Sequence, residues 1–235
     1  MALAFESVLF YSPDPERSAS FWGAMTDRPW TIDSRGAFVA GTATQAGLRF
    51  EPGLLATKDG ERLHLHLSQG KRNQREWIDT CVAGGATLLG SGNIPPGHYA
   101  RMADPMGMEY CVIEDNNRYL EGCGPLGEVT GVGTHTVGLF WSQILLWPIV
   151  WDHNQEVAIQ SPHGGTKLAW SGIAPTQVQK NFGQQFVFCV STEDYGKEVN
   201  RLVSLGAAVR AMDLTGTSTL IDPDGMDFLV VLRGG

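Results

Sequence analysis

Basic residues are scarce in this chain. Lys and Arg number 17 against 25 Asp and Glu in 235 residues, a formal net charge of −8. Beyond the Lys71-Arg72 step and Arg75 there is no basic run, so a phosphate backbone would be repelled and nucleic acid is not an expected partner. Long apolar runs are missing too. No segment reaches the roughly 18 residues of a spanning helix, and a membrane is not expected either. The stretch MALAFESVLFYSPDPER has no basic leader and carries Glu6 within its apolar part, unlike a signal peptide. The four cysteines, Cys81, Cys111, Cys123 and Cys189, form no CxxC pair. They fit free thiols in a reducing compartment, which makes the cytoplasm the expected location. The sequence shows no Gly-x-Ser-x-Gly, Cys/His pair or Rossmann fingerprint, and PHGGT at 162–166 lacks the following helix of a phosphate loop.

What is present is a duplication. ADPMGMEYCVIE at 103–114 returns as IDPDGMDFLVVL at 221–232, with the aspartates Asp104 and Asp222 118 residues apart. FWGAMTDRPWTID at 21–33 returns as FWSQILLWPIVWD at 140–152, an offset of 119. A repeat of half the chain length implies two copies of one unit. The expected domains are 1–118 and 128–235, joined by a short packed linker at 119–127.

Each half divides again. AFESVLFYS reads as a strand. DPERSASFWGAM is a helix, with Asp14 at the N-cap and Pro15 in its first turn. Three short strands follow, and the order then recurs from RLHLHLS. The chain reads βαβββ four times, two modules to a half, which is α+β rather than doubly wound. Asp-Pro-x-Gly has a local explanation: Pro fixes φ, Gly supplies positive φ, and Asp caps the turn, so the motif is a hairpin. Trp22 and Trp141, beside Phe21 and Phe140, lie at helical spacing and are expected in the core.

Four βαβββ modules, an aromatic Phe-Trp helix before a Pro, and a closing DPxG hairpin resemble the vicinal oxygen chelate superfamily. Glyoxalase I, bleomycin- and fosfomycin-resistance proteins and extradiol dioxygenases belong to it. The resemblance implies two tandem glyoxalase-like domains with concave mixed sheets around a ligand cleft. Metal-dependent members carry His or Gln plus Glu on the first and last strands of each module. The closing Glu falls seven residues after the hairpin Asp, a position held here by Cys111 and by Leu229. Leu cannot ligate.

The first half keeps partial candidates. His64 and His66 are two apart and share a strand face, as do Glu109 and Cys111. Glu51 closes the first module, where the family often has its first Glu. Metal candidates are therefore Glu51, His64, His66 and Glu109, for a divalent Zn, Ni, Fe or Mn in the first domain. Glu51 and Glu109 are also the candidate proton-moving carboxylates. His64, His66, Tyr99, Arg101, Cys111, Trp151 and Trp170 are candidate ligand contacts. In the second half Val187 and Cys189 stand where the histidines would be, and no metal is expected there.

Two functions follow. The favoured one is a glyoxalase- or bleomycin-resistance-like protein that binds a small molecule without a complete family metal site. The alternative is a metal-dependent lyase or dioxygenase-type oxidoreductase acting through the first domain. The sequence leaves open whether module pairing occurs within one chain or in a homodimer.

Overall fold

The computed structural model describes residues 3–55, 62–68, 72–92, 99–176, 184–190, 194–212 and 216–232. Module one holds β1 (Leu3–Ser12), α1 (Pro15–Thr26), β2 (Trp30–Asp33), β3 (Gly36–Val39) and β4 (Gly47–Pro52). Module two holds β5 (Leu63–Leu67), α2 (Gln74–Ala83), β6 (Thr87–Gly92), β7 (Tyr99–Ala103) and β8 (Glu109–Ile113). Module three holds β9 (Leu126–Gly131), α3 (His135–Leu145), β10 (Ile149–His153), β11 (Glu156–Gln160) and β12 (Lys167–Trp170). Module four holds β13 (Gln185–Val190), α4 (Tyr195–Ser204), β14 (Ala208–Met212), β15 (Thr217–Ile221) and β16 (Asp227–Leu232).

Local chemistry sets the element ends. Asp14 caps α1 by accepting from the Arg17 N–H, and Pro15 opens the helix. Asn73 and Glu76 form a reciprocal capping box on α2. At the two DPxG hairpins the same bonds appear twice. Asp104 Oδ1 accepts from the Met106 and Met108 N–H groups, and Asp222 Oδ1 from those of Asp224 and Met226. Gly107 at φ 97° and Gly225 at φ 83° take the positive-φ position of each turn.

Two mixed eight-stranded sheets result, and they do not follow the halves. One runs β14-β15-β16-β13-β1-β4-β3-β2 and joins modules one and four. The other runs β10-β11-β12-β9-β5-β8-β7-β6 and joins modules two and three. The seams are antiparallel, β1 with β13 and β5 with β9. Neighbourhood along the chain accounts for this pairing. The segment after β8 turns back over a short distance, so β9 meets β5 at small loop-closure cost, which leaves modules one and four to each other. Ser68 Oγ donates to the Gly124 carbonyl, and Gln45 holds the same turn through the Cys123 carbonyl and the Leu126 N–H. The expected linker is thus packed, with Leu120, Cys123 and Leu126 buried.

The helices fill the space between the sheets. Trp22 of α1 meets Tyr110 of β8 at 5.0 Å and donates from its indole to Asp104. Trp141 of α3 stacks on Phe188 of one sheet and Trp170 of the other. Both indoles are fully buried, each contributing roughly 2–3 kcal/mol of apolar burial. The Phe-Trp repeat is therefore core, as its spacing predicts.

Candidate functional site

In β5, Leu63, Leu65 and Leu67 point to the helices, which turns His64 and His66 to the opposite face. Alternation does the same for Glu109 and Cys111 in β8, whose Tyr110 and Val112 are buried on the helix side. Register then aligns one row across six strands. Arg101 pairs with Cys111, Cys111 with His66, His66 with Glu128, Glu128 with Lys167, and Lys167 with Gln160. Three of these strands come from the first half and three from the second.

The centre of the row is a hydrogen-bonded network. His66 Nδ1 lies 2.7 Å from Glu128 Oε2, and the Tyr119 hydroxyl donates to Glu128 Oε1 at 2.5 Å. The Lys167 ammonium sits 3.9 Å from the centre of the Tyr119 ring and donates to the Tyr119 carbonyl. Burial alone would disfavour the Glu128 carboxylate, but His66, Tyr119 and Lys167 outweigh it and hold its pKa below the ordinary value. The Tyr119 hydroxyl is pushed up, chiefly by burial and then by Glu128. Beside this network, His64 Nε2 lies 3.2 Å from the Cys111 sulfur, and the His64 and His66 rings meet edge to face at 5.4 Å.

A cavity of about 460 Å³ opens over the network, with His66, Tyr119, Glu128, Trp151, Glu156 and Trp170 in its walls. Trp151 is half-exposed and packs against Tyr119 at 5.6 Å. Trp170 is mostly core and presents only a margin. Arg101 faces Glu109 at 3.5 Å, and Tyr99 pairs with Ile113, a row further from the histidines.

Glu51 does not belong here. It lies on β4 of the other sheet, ion-paired with Arg35 at 2.6 Å. The expectation that it lies near the floor of the histidine cleft is corrected by the module pairing, which separates module one from module two. The same pairing builds the histidine face from both halves, since Glu128, Trp151, Lys167 and Trp170 come from the second. In the other sheet Val187 and Leu229 are register partners, and neither side chain can ligate. The Cys189 side chain lies outside the described atoms.

Tyr119, Glu128, Glu156 and Lys167 are not legible as site residues in the sequence, nor is the Cys111–His64 pair, which forms only between neighbouring strands. Tyr119 falls within the expected linker. Glu128 has a readable signal, a carboxylate on the first strand of module three.

Two mixed sheets of βαβββ modules, with a polar row across first and last module strands, define a protein of the vicinal oxygen chelate class. The chain belongs to the Glyoxalase-like domain family, whose profile matches residues 7–113 and 132–231. Glyoxalase I from Zea mays superposes with a TM-score of 0.70 at 14% identity, covering 97% of this chain and 92% of that one. A Bacillus subtilis protein provisionally described as a dioxygenase gives 0.66 at 12% identity, covering 99% and 86%. At these identities the likeness is one of fold. Among curated proteins none matches the sequence significantly.

The residues do not fit a family-type divalent site. That site needs imidazole and carboxylate donors converging with open positions. Here the row supplies one carboxylate, both of whose oxygens already accept hydrogen bonds, and a cation, Lys167, follows it. A different set does converge: donor atoms of His64, His66 and Cys111 lie within 4.8 Å of one another. Two imidazoles and a thiolate suit a soft cation of the zinc kind.

Proposed function

We propose that the protein binds a small molecule in the cleft of the second sheet without a family-type metal. One observation carries this reading: the Lys167 ammonium stands next to Glu128 in the row, and both Glu128 oxygens are engaged by His66 and Tyr119. With Nδ1 committed to Glu128, His66 has Nε2 left for a polar group of the ligand, while Trp151 offers an aromatic wall. A planar or aromatic body with one hydrogen-bonding group fits these walls. We take 1–118 and 128–235 as the units of duplication, with 119–127 between them, and the cytoplasm as the location. One chain completes both sheets, so the cleft needs no second copy.

Native mass spectrometry of freshly purified protein, paired with elemental analysis, tests this. The expected result is a small-molecule adduct without stoichiometric metal, and an affinity for the recovered molecule that chelators leave unchanged. Affinity lost on chelation would count against it.

A second reading is favoured by the His64, His66 and Cys111 cluster. A zinc-class ion there would be held by these three side chains, with Glu128 orienting His66 from behind. Such an ion would polarise a bound carbonyl. Stoichiometric zinc lost in the His64→Ala variant would establish it.

A further inference from the structure

We propose that Cys111 is a nucleophile paired with His64, and that it captures a small carbonyl compound carrying a carboxylate, an oxo acid. The inference rests on the metal-free reading above, since a bound cation would occupy the same sulfur.

Among the described cysteines, all three buried, Cys111 alone has an imidazole against its sulfur, and its row neighbour His66 lines the cavity. Cys81 is fully buried beside the Met25 sulfur at 3.5 Å, and Cys123 is buried and takes the Gln160 amide at 3.4 Å. Burial pushes both of those thiols up, toward the inert protonated form. Cys111 has the His64 Nε2 at 3.2 Å instead, the spacing of a thiol and its base.

Its row neighbours supply the rest. On one side stands Arg101, whose side chain is 42% exposed and holds Glu109 only at 3.5 Å. A guanidinium so loosely engaged can take a ligand carboxylate in bidentate fashion. On the other side stands His66, which reaches the cavity wall. A molecule with its carboxylate on Arg101 puts an adjacent carbonyl carbon over Cys111.

The step is an addition. The thiol proton passes to His64 Nε2 while the sulfur pair forms a C–S bond to the carbonyl carbon. The C=O π pair moves onto oxygen, which takes the proton back from His64 to give a hemithioacetal or hemithioketal. Nothing is oxidised or reduced, and the reverse path is open. An aldehyde without the carboxylate lacks the Arg101 anchor.

Alkylation reads the same sulfur irreversibly: with iodoacetate a C–S bond forms, iodide leaves with its electron pair, and His64 takes the proton. Glyoxylate, an aldehyde bearing a carboxylate, is the competing probe. In full-length, metal-stripped protein, peptide mapping should find Cys111 carboxymethylated well before Cys81 or Cys123. His64→Gln should slow this by about 10²-fold, the size of a general-base contribution. Arg101→Gln should shift the preference from iodoacetate toward uncharged iodoacetamide. Glyoxylate should protect Cys111 where equal acetate does not. Near-UV circular dichroism confirms that each variant is folded, with His64→Asn as the second replacement. Cys111 that reacts no faster than Cys81, or that is indifferent to His64 or protected equally by acetate, overturns the proposal. Stoichiometric zinc before stripping overturns the metal-free reading instead, and elemental analysis reads it separately.

Discussion

Among single side chains, Glu128 has most at stake. Its carboxylate is deeply buried and is kept charged by His66, the Tyr119 hydroxyl and Lys167. Removing one partner of a buried charged set leaves the others unpaired, which costs more than the set contributes as a whole. Glu128→Ala should therefore lose about 3–5 kcal/mol in urea unfolding, and Glu128→Gln distinctly less because an acceptor oxygen remains. Because the Glu128 pKa is depressed, its stabilising effect is present above the ordinary carboxylate range and fades as pH falls through the folded value. A Glu128→Ala loss that is the same at pH 4 and pH 7 would show that the charge is not what matters. His64→Ala combined with His66→Ala should weaken ligand binding by about 1–3 kcal/mol, the range for lost buried polar contacts. Calorimetry with the recovered ligand measures it, and unchanged affinity would remove both rings from recognition. Alternation alone made it legible that His64 and His66 share one face of their strand, and Glu109 and Cys111 one face of theirs, because a period of two fixes the face. It could not reveal Tyr119 or Lys167, whose meaning depends on which strands become neighbours.

Among elements, the two closing hairpins are the most readable part of the chain. Asp-Pro-x-Gly encodes its turn within five residues, so tertiary context has little to override, and the same bonds form at Asp104 and Asp222. Their electrostatics differ in degree. Asp104 takes the Trp22 indole N–H, whereas Asp222 lies near Arg62 and Asp224, and burial lifts its pKa to about 6. A folded pKa above the unfolded 3.8 means the native state holds a proton that the unfolded chain has released. The associated stability is complete below the unfolded pKa and is lost as pH rises through about 6. Asp222→Asn keeps the turn's acceptor oxygen and abolishes that titration. It should match wild type near pH 4 and exceed it near pH 7, by an amount of order 3 kcal/mol for a shift of about two units. Thermal unfolding across this range checks the sign; a variant weaker than wild type at pH 7 would mean that Arg62 needs the charge.

For the molecule as a whole, the duplication was legible and the assembly was not. Repeat offsets report common descent of the halves, but module pairing depends on strand edges that neither half reveals by itself. β5 alternates and β1 carries a continuous buried run from Ser7 to Phe10, yet nothing in Leu3–Ser12 or Leu63–Leu67 names its antiparallel partner. The partners, β13 and β9, both lie in the second half. Cutting the chain between the halves would therefore leave four central strands with one edge bare, among them the ten residues of β1. A long unpaired edge is a template for association. It would also take Phe5 of the first half away from Phe186 and Phe188 of the second. Residues 1–118 or 128–235 expressed separately should thus be unfolded or self-associated. An equimolar mixture should give a one-to-one complex with the far-UV spectrum of the intact chain. Analytical ultracentrifugation with circular dichroism distinguishes the outcomes. A monomeric half that unfolds cooperatively would mean its two modules can pair with each other, as the intact chain does not pair them.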